Sequence, residues 1–371
     1  MSSAAVVKPR QDTDDYCVAP DSVHPRIGKI SYENGVFYHN VDLTELPNFS
    51  ALKDEVEKVI AELSWWQSYG VDSCILLSGV IGAVLSFFLM SSSNFPIFTA
   101  GVILLGCCHS VLAIKGGHVA AHKAVCQSAM WNRLLGFFFS DVCGTFPSDA
   151  SYEIHVKGHH PHTNIMGLGD SSTFKAPLLP AFLYLFVAPL LLPIITPVVA
   201  VMTLWGRWFQ LCRFLVIASF GLFANLYMAM TIAGCTLLGS LAITVVSRAV
   251  LAIPYIHVNI FQHIGLPMFS PRHRPKRLYQ MSVGVLNLSS NPILDICFGH
   301  GIISCHVEHH LFPRLSDQQC LHVKPIVQRF LKANGLSYHQ ASYTDRLGVF
   351  LARYSQLMVN APPISHFVGI Q

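Results

Sequence analysis

The chain has 371 residues, of which 52% are hydrophobic and only 12% are charged. A soluble domain carries about 25% charged residues, so this composition excludes an ordinary soluble domain and favours a membrane protein. The formal charge of +4 is small for this length and gives no reason to expect a nucleic-acid partner. The unusual feature is the number of histidines, which is 19.

The N-terminal region is polar and precedes any apolar segment. Residues 1–22 are predicted to be disordered. Residues 24–40 alternate between apolar and polar side chains around Asn34-Gly35, which predicts a small β-hairpin. Ser50 is predicted to cap an amphipathic helix that follows it.

Two apolar segments follow, at residues 71–90 and 96–114, and each has about the 20 residues that cross a bilayer. The link between them lacks Lys and Arg, whereas Lys115 and Lys123 come after the second segment. The positive-inside rule therefore places the link in the lumen and residues 115–175 in the cytosol.

The next apolar block, residues 177–205, holds five prolines, each of which disturbs a straight helix. Two further spans are predicted at 214–233 and 240–256, after which residues 257–371 return to the cytosol. We therefore predict an all-α integral membrane protein with about four transmembrane helices. The proline block is either a re-entrant segment or an extra hairpin that crosses twice.

Eight histidines form three clusters at predicted membrane exits on the same face. The clusters are His118 and His122, then His155, His159 and His160, and then His306, His309 and His310. Residues four apart share a helix face, whereas adjacent residues point about 100° apart, so each adjacent pair can serve two metals. Neutral imidazole suits Zn, Fe, Cu and Ni, but one zinc takes about four ligands. Eight histidines thus favour two metals, and paired iron fits oxygen chemistry.

The spacings H-x-x-x-H, H-x-x-x-H-H and H-x-x-H-H, in this order, resemble the three histidine boxes of the membrane fatty acyl desaturases. The stretch HVEHHLFP at 306–313 is similar to that family's third box, and the resemblance covers roughly residues 95–345. Asn259-Ile-Phe-Gln-His263 matches a fourth family element, in which the Asn holds a water near one metal. His257 is a competing ligand.

The resemblance implies nine metal ligands on two Fe ions. They are His118, His122, His155, His159, His160, His263, His306, His309 and His310. It further implies O2-dependent desaturation of an acyl-CoA or acyl-lipid in the endoplasmic reticulum membrane, with both termini cytosolic. His24-Pro25 is not followed by Gly-Gly, so no fused haem domain is supported. A separate cytochrome b5 and its NAD(P)H reductase are the implied electron donors.

Two departures from the family leave the substrate and the bond position open. Val119 stands where many relatives carry Asp, and His306 stands where front-end desaturases have Gln. Two alternatives to a desaturase also remain. One is a lipid hydroxylase that uses the same two-iron site, and the other is a non-catalytic metal-binding or scaffold protein.

The predicted domains are a cytosolic N-terminal segment (1–66), a membrane desaturase domain (67–345) and a C-terminal tail (346–371). Four acids are candidate acceptors for the ring N–H groups of the ligands. They are Asp141, Asp149, Glu153 and Glu308. His162 is a candidate supporting residue, whereas His109 and His300 are expected to be structural.

Overall fold

The computed structural model describes residues 27–33, 36–41, 46–165, 179–267, 269 and 275–357. The disorder predicted for residues 1–22 lies outside the described residues. The described part is almost wholly helical, and five of its helices are long and apolar enough to cross a membrane. The predicted all-α membrane fold is therefore confirmed.

Two elements of the N-terminal segment were predicted. Strands Ile27–Glu33 and Val36–Val41 pair antiparallel, which confirms the hairpin. The helix that follows is Phe49–Glu62, and its N-cap is Asn48, whose side chain accepts a hydrogen bond from the Ser50 backbone N–H at 3.0 Å. The prediction of Ser50 as the cap was thus wrong by two residues, because the Asn amide oxygen satisfies the first free N–H.

The five apolar helices are numbered in chain order. They are the first (Trp66–Met90), second (Phe95–Ala121), third (Leu183–Leu204), fourth (Trp208–Thr231) and fifth (Leu237–Phe261). The first, second, fourth and fifth correspond to the four predicted spans. Large apolar side chains such as Val216 and Phe220 remain more than two-thirds exposed. Such exposure suits contact with lipid and would be costly in water.

The helices are not uniform along their length. The second apolar helix is α-helical over Phe95–His109 and Gly117–Ala121, with a π-helical stretch between them, Ser110–Gly116. The fifth is built from Leu237–Ala249 and Ala252–Phe261.

The third apolar helix is the proline block. It forms one kinked run, which is π-helical over Leu183–Val187, 3₁₀-helical over Ala188–Leu191 and α-helical over Leu192–Leu204. Pro189 and Pro193 lie at the changes of helix type, where their missing N–H groups interrupt regular bonding. Because Leu183–Leu204 is one continuous helical run, the proline block does not form the hairpin that would cross the membrane twice.

Both ends of the third apolar helix contact the side of the molecule that carries the histidine clusters. At its start, the Leu185 carbonyl oxygen accepts a hydrogen bond from His257 Nε2 at 2.9 Å. Beyond its end, Arg207 pairs with Glu153 at 2.9 Å, two residues before His155. This arrangement fits four full spans and one segment that enters and leaves on the same face.

The remaining elements form a cap on that face. Between the second and third apolar helices they are Ala129–Gly136, Phe137–Cys143, Ser148–Ser151, Tyr152–His159 and His160–His162. After the fifth they are Arg277–Gly284, strand Leu286–Leu288, Pro292–Phe298, His306–Leu311, Asp317–Ala333, strand His339–Ala341 and Tyr343–Leu357. The two strands pair in parallel, with Leu286 opposite His339.

The helix Tyr343–Leu357 packs against the end of the fifth apolar helix. Its Phe350 is fully buried, and Arg346 donates hydrogen bonds to the carbonyl oxygens of Phe261 (2.9 Å) and Ile264 (2.6 Å). Carbonyl groups at a helix C-terminus have no partner within the helix, so Arg346 satisfies groups that would otherwise be costly to bury.

A buried ion-paired lysine connects the apolar helices to the cap. Lys115 has a side chain that is 0% exposed, and it pairs with Asp72 of the first apolar helix (3.0 Å) and with Asp317 of the cap. The sequence had placed Lys115 among the cytosolic flanking charges. The structure shows in addition that this lysine is buried, where two carboxylates compensate its ammonium group.

Replacement of Lys115 by Met should strongly destabilise the fold. It leaves Asp72 and Asp317 buried without their counter-charge, and breaking such a pair costs about 3–5 kcal/mol. We expect the apparent melting temperature of the detergent-purified protein to fall by several degrees. Lys53→Met is the control, because the Lys53–Glu57 pair is exposed. Equal melting temperatures for wild type and Lys115→Met would contradict this role.

Candidate metal centre

The nine histidines that the sequence singled out come together in two groups. The first group is His118, His122, His155, His160 and His309, and the second is His159, His263, His306 and His310. Within each group, one ring nitrogen per residue lies within 4.8 Å of the others. Residues from four separate segments of the chain thus meet under the cap.

Each pair of adjacent histidines is divided between the two groups. His160 and His309 belong to the first group, whereas His159 and His310 belong to the second. Neighbouring side chains on a helix point in directions about 100° apart, so one turn can present a ring to each of two centres. The structure therefore has the arrangement that helical geometry predicted for these pairs.

The second cluster differs from the expected α-helix. Tyr152–His159 is π-helical, and the pair that shares a group is His155 and His160, five residues apart. Their Nε2 atoms are 3.2 Å apart. Because a π-helix bonds residue i to residue i+5, it brings these two rings together and leaves His159 for the other group. The four-residue pair His155 and His159 does not share a group.

The ring nitrogens converge more closely than hydrogen bonding explains. His160 Nε2 lies 3.2 Å from His155 Nε2 and 3.1 Å from His309 Nε2, yet one imidazole nitrogen carries at most one hydrogen. In the second group, His306 and His263 approach to 2.9 Å. Two nitrogens that bind one ion at about 2.1 Å stand roughly 3.0–3.4 Å apart. The donor set therefore fits a metal ion in each group.

Buried ring nitrogens without a protein partner support the same interpretation. Among the described residues, neither ring nitrogen of His118 or His122 has a hydrogen-bond partner. Burial, followed by the neighbouring imidazoles, lowers the pKa of His122, His309 and His310 well below the usual value. Neutral imidazole is the form that binds metals.

A chain of contacts orients the ring of His306. Its Nδ1 donates to the carbonyl oxygen of Gly301 at 2.8 Å, and the Gly301 N–H donates to Asp317 Oδ1 at 2.8 Å. Asp317 in turn pairs with Lys115. Although burial alone would raise it, Lys115 keeps the pKa of Asp317 below its usual value. The ion pair therefore holds the loop that fixes this ring.

His310 is held from two directions. Its Nδ1 donates to Thr163 Oγ1 at 3.2 Å, and its carbonyl oxygen accepts from Arg277 at 2.6 Å. A hydrogen bond at Nδ1 leaves Nε2 with the lone pair that a metal needs. This Nε2 lies 3.3 Å from that of His159.

The helix of the third cluster is fixed by a buried amide. Asn287 Oδ1 accepts from the backbone N–H of Val307 at 2.8 Å, and its Nδ2 donates to Glu308 at 3.0 Å. Tyr338 donates to the other oxygen of Glu308 at 2.7 Å. The carboxylate thus faces away from the histidine rings.

The four acids predicted to support the ligands have other partners. Asp141 accepts from the Ser148 N–H, Asp149 pairs with Arg213, Glu153 pairs with Arg207, and Glu308 bonds to Asn287 and Tyr338. Within the described residues none of the four accepts a hydrogen bond from a cluster ring, so this prediction was wrong. Three of them fix the segment around the second cluster instead.

Other histidines lie outside both groups. His257 uses both nitrogens, facing the Tyr343 hydroxyl at 2.5 Å and the Leu185 carbonyl at 2.9 Å, so it is not a competing ligand. His300 bonds to Ser304 and Asp295, as expected of a structural residue. His162, a candidate supporting residue, bonds to the Gly158 carbonyl oxygen.

Asn259 lies one turn before His263, and its Nδ2 donates to the Tyr255 carbonyl oxygen at 2.7 Å. Its water-holding role stays a prediction.

Sequence reasoning missed the residues that orient the ligands, which are Lys115, Asp317, Thr163, Arg277 and Asn287. Only one signal was available, namely a lysine inside an apolar segment, since a buried lysine almost always has an acidic partner. The identity of that partner depends on the fold.

Comparison with known proteins agrees with this geometry. The family model described as fatty acid desaturase matches residues 93–342. The chain is 46% identical over 324 residues to fatty acid desaturase 6 of Bos taurus, which covers 86% of this chain and 94% of that protein. The human protein of the same name is 46% identical over 322 residues, or 85% of this chain and 89% of the relative.

A more distant relative matches over a short stretch. The delta(8)-fatty-acid desaturase of Borago officinalis is 33% identical over 66 residues, which is 18% of this chain and 14% of that protein. The family match spans about two-thirds of the chain and includes all nine clustered histidines. The chain therefore belongs to the fatty acid desaturase family.

Proposed function

We propose that this protein introduces a double bond into a fatty acyl chain, carried as an acyl-CoA or an acyl-lipid, with O2 as the oxidant. The observation that supports this most strongly is the pair of buried histidine groups, each with converging ring nitrogens. Family membership supports the substrate class and the general type of reaction.

Two iron ions are the proposed cofactors. One would bind to His118, His122, His155, His160 and His309, and the other to His159, His263, His306 and His310. Imidazole is a suitable ligand for iron, and neither group contains a thiolate or carboxylate. When bound, the irons would supply the oxidising power that removes hydrogen from an unactivated methylene.

The proposed reaction balances with two external electrons. A saturated pair of methylenes, one O2, two electrons and two protons give one double bond and two waters. The electrons would come from NAD(P)H through a reductase and a separate cytochrome b5. In this scheme the histidines act as ligands and do not transfer protons.

The protein's own contribution is to place the chain and keep water away. A cavity of about 930 Å³, including its mouth, reaches His118 and His155 of the first group. Its walls include Ile114, Leu192 and Ile302, which suit an alkyl chain. The chain would lie with its reacting carbons beside these two histidines.

The proposed location is the endoplasmic reticulum, with the histidine face and both termini in the cytosol. The absence of Lys and Arg between the first two apolar helices supports this orientation. The cap then lies in the cytosol, the compartment that holds NAD(P)H.

Orientation is testable by glycosylation in microsomes. A flexible loop that carries an acceptor site, inserted between Ser91 and Ser92 or in the turn at 232–236, should be glycosylated because it reaches the lumen. The same loop inserted at the N-terminus should remain unmodified. Glycosylation of the N-terminal insert would reverse the proposed orientation.

Metal content is the direct test of the centre. Protein purified in mild detergent should hold about two irons per chain, one for each group of ligands. His309→Ala in the first group and His159→Ala in the second should each lose iron and activity, measured by elemental analysis and by product formation.

His162→Ala is the matched control, because His162 is close in sequence but belongs to neither group. It should retain iron and remain folded. A single zinc, or full activity in either ligand variant, would contradict the proposed two-iron site. A folded protein without metal after addition of iron would favour the scaffold alternative.

Product analysis separates desaturation from hydroxylation. Incubation with acyl substrates, electron donors and O2 should yield a product that has lost two hydrogens, because the second hydrogen is removed before oxygen is transferred. Mass spectrometry of the extracted lipids measures this directly. A product that has gained one oxygen would establish the hydroxylase alternative at the same site.

A further inference from the structure

Arg248 is a charged residue near the middle of the fifth apolar helix. Charged residues at such depth are costly, and those that persist usually face a functional partner. The side chain of Arg248 lies inside the helix bundle and lines the cavity described above. The metal centre does not use it.

The charge of Arg248 has no counter-ion within the described part of the chain. Its Nη1 donates to Thr145 Oγ1 at 3.0 Å, and no described carboxylate lies within ion-pair distance. A neutral donor would serve Thr145 equally well, so this bond does not account for a guanidinium group. A buried charge without a partner is strongly unfavourable, and an anionic ligand would offset that cost.

The cavity connects Arg248 with the metal centre. His109 and His118 both line it, and they lie nine residues apart on the second apolar helix. Arg248 lies at about the same depth as His109. Gly106, three residues before His109, packs so closely against Ser247 and Val250, the neighbours of Arg248, that a Cβ would not fit. The distance from Arg248 to the first histidine group is therefore on the order of 10 Å, which is the length of several methylenes.

A second polar group at this cavity also has no partner. Tyr255 is 5% exposed, and its hydroxyl has no hydrogen-bond partner among the described residues. It lines the same cavity as Arg248, Thr145 and His109. A buried hydroxyl without a partner is unfavourable, so a ligand with oxygen acceptors would satisfy both this hydroxyl and the arginine.

We propose that this cavity binds an alkyl chain that ends in a carboxylate, with the carboxylate at Arg248 and the chain extending towards His118. Guanidinium groups bind carboxylates with two parallel hydrogen bonds, and the Tyr255 hydroxyl can donate a third. The methylenes fill the apolar part of the cavity. The inference deepens the proposed function, because it assigns the substrate a polar group inside the membrane region.

Two molecules share this chemistry. One is a free fatty acid whose own carboxylate enters the cavity. The other is an acyl chain with a second carboxylate at its far end, whose head group stays on the cytosolic face. Both place several methylenes between Arg248 and the first histidine group.

Equilibrium binding tests the proposal without turnover. Purified protein, both as isolated and after removal of metal, is titrated with decanoic acid, methyl decanoate and decanol, which differ only in the end group. The acid should bind about tenfold more tightly than the ester or the alcohol, because only the acid pairs with Arg248.

Three variants assign the effect to the cavity. Arg248→Gln and the milder Tyr255→Phe should each weaken binding of the acid, by about tenfold and severalfold respectively, and leave binding of the ester unchanged. Arg329→Gln is the matched control, because Arg329 is exposed and pairs with Glu55, and neither residue lines the cavity. It should bind the acid as the wild type does.

A final comparison identifies the source of the carboxylate. Monomethyl decanedioate carries an ester at one end and a carboxylate at the other. If decanoic acid and this monoester bind equally, a free fatty acid suffices; if the monoester binds more tightly than decanoic acid, the ligand is an acyl chain with a carboxylate at its far end.

Equal binding of acid, ester and alcohol, or unchanged binding of the acid in both cavity variants, would overturn the proposal. Either result would leave the metal content and the desaturation product unaffected, so it would not count against the proposed function.

Discussion

The buried charge of Lys115 is the constraint on which the rest of the site depends. An ammonium group without water needs carboxylates, and the two that serve it come from the first apolar helix and from the cap. Asp317 also accepts a hydrogen bond from the loop that orients His306. One electrostatic requirement thus joins the membrane helices, the cap and a candidate ligand. Close packing at Gly299 and Gly301, which face Asp317, leaves little freedom in this connection.

The histidines show how a mostly apolar chain can build a polar interior. Outside the apolar helices, six of the clustered imidazoles have a pKa lowered by burial, and such groups would be unfavourable as ordinary buried side chains. Shared ions would turn this cost into stabilisation, because each metal satisfies several nitrogens at once. The supporting bonds come largely from backbone carbonyls and neutral side chains. This differs from the acid-assisted pattern that the sequence predicted, and it keeps net charge near the rings low.

Much of the architecture was predictable because it follows from periodicity and length. The four spans, the hairpin strands and eight of the nine histidines come from local spacing, whereas His263 was implied by the family resemblance. The pairing of His155 with His160 was not predictable, because hydropathy does not distinguish a π-helix from an α-helix. The burial of Lys115 was not predictable for a similar reason, since an exposed flanking lysine and a buried one look alike until the distant partner Asp317 is known. Glu153 and Asp149 were only candidates to support the rings, and sequence proximity to His155 did not reveal their partners, the arginines at 207 and 213.

The long separation between Lys115 and Asp317 has a consequence for biosynthesis. These partners are 202 residues apart in the chain, and the clustered histidines extend from His118 to His310. While the ribosome is still making the third and fourth apolar helices, Lys115 has only Asp72 as its counter-charge. The helices can therefore enter the bilayer well before the centre exists. Metal bound to all nine histidines would have to be loaded after translation has passed His310, which would make it one of the last events in maturation.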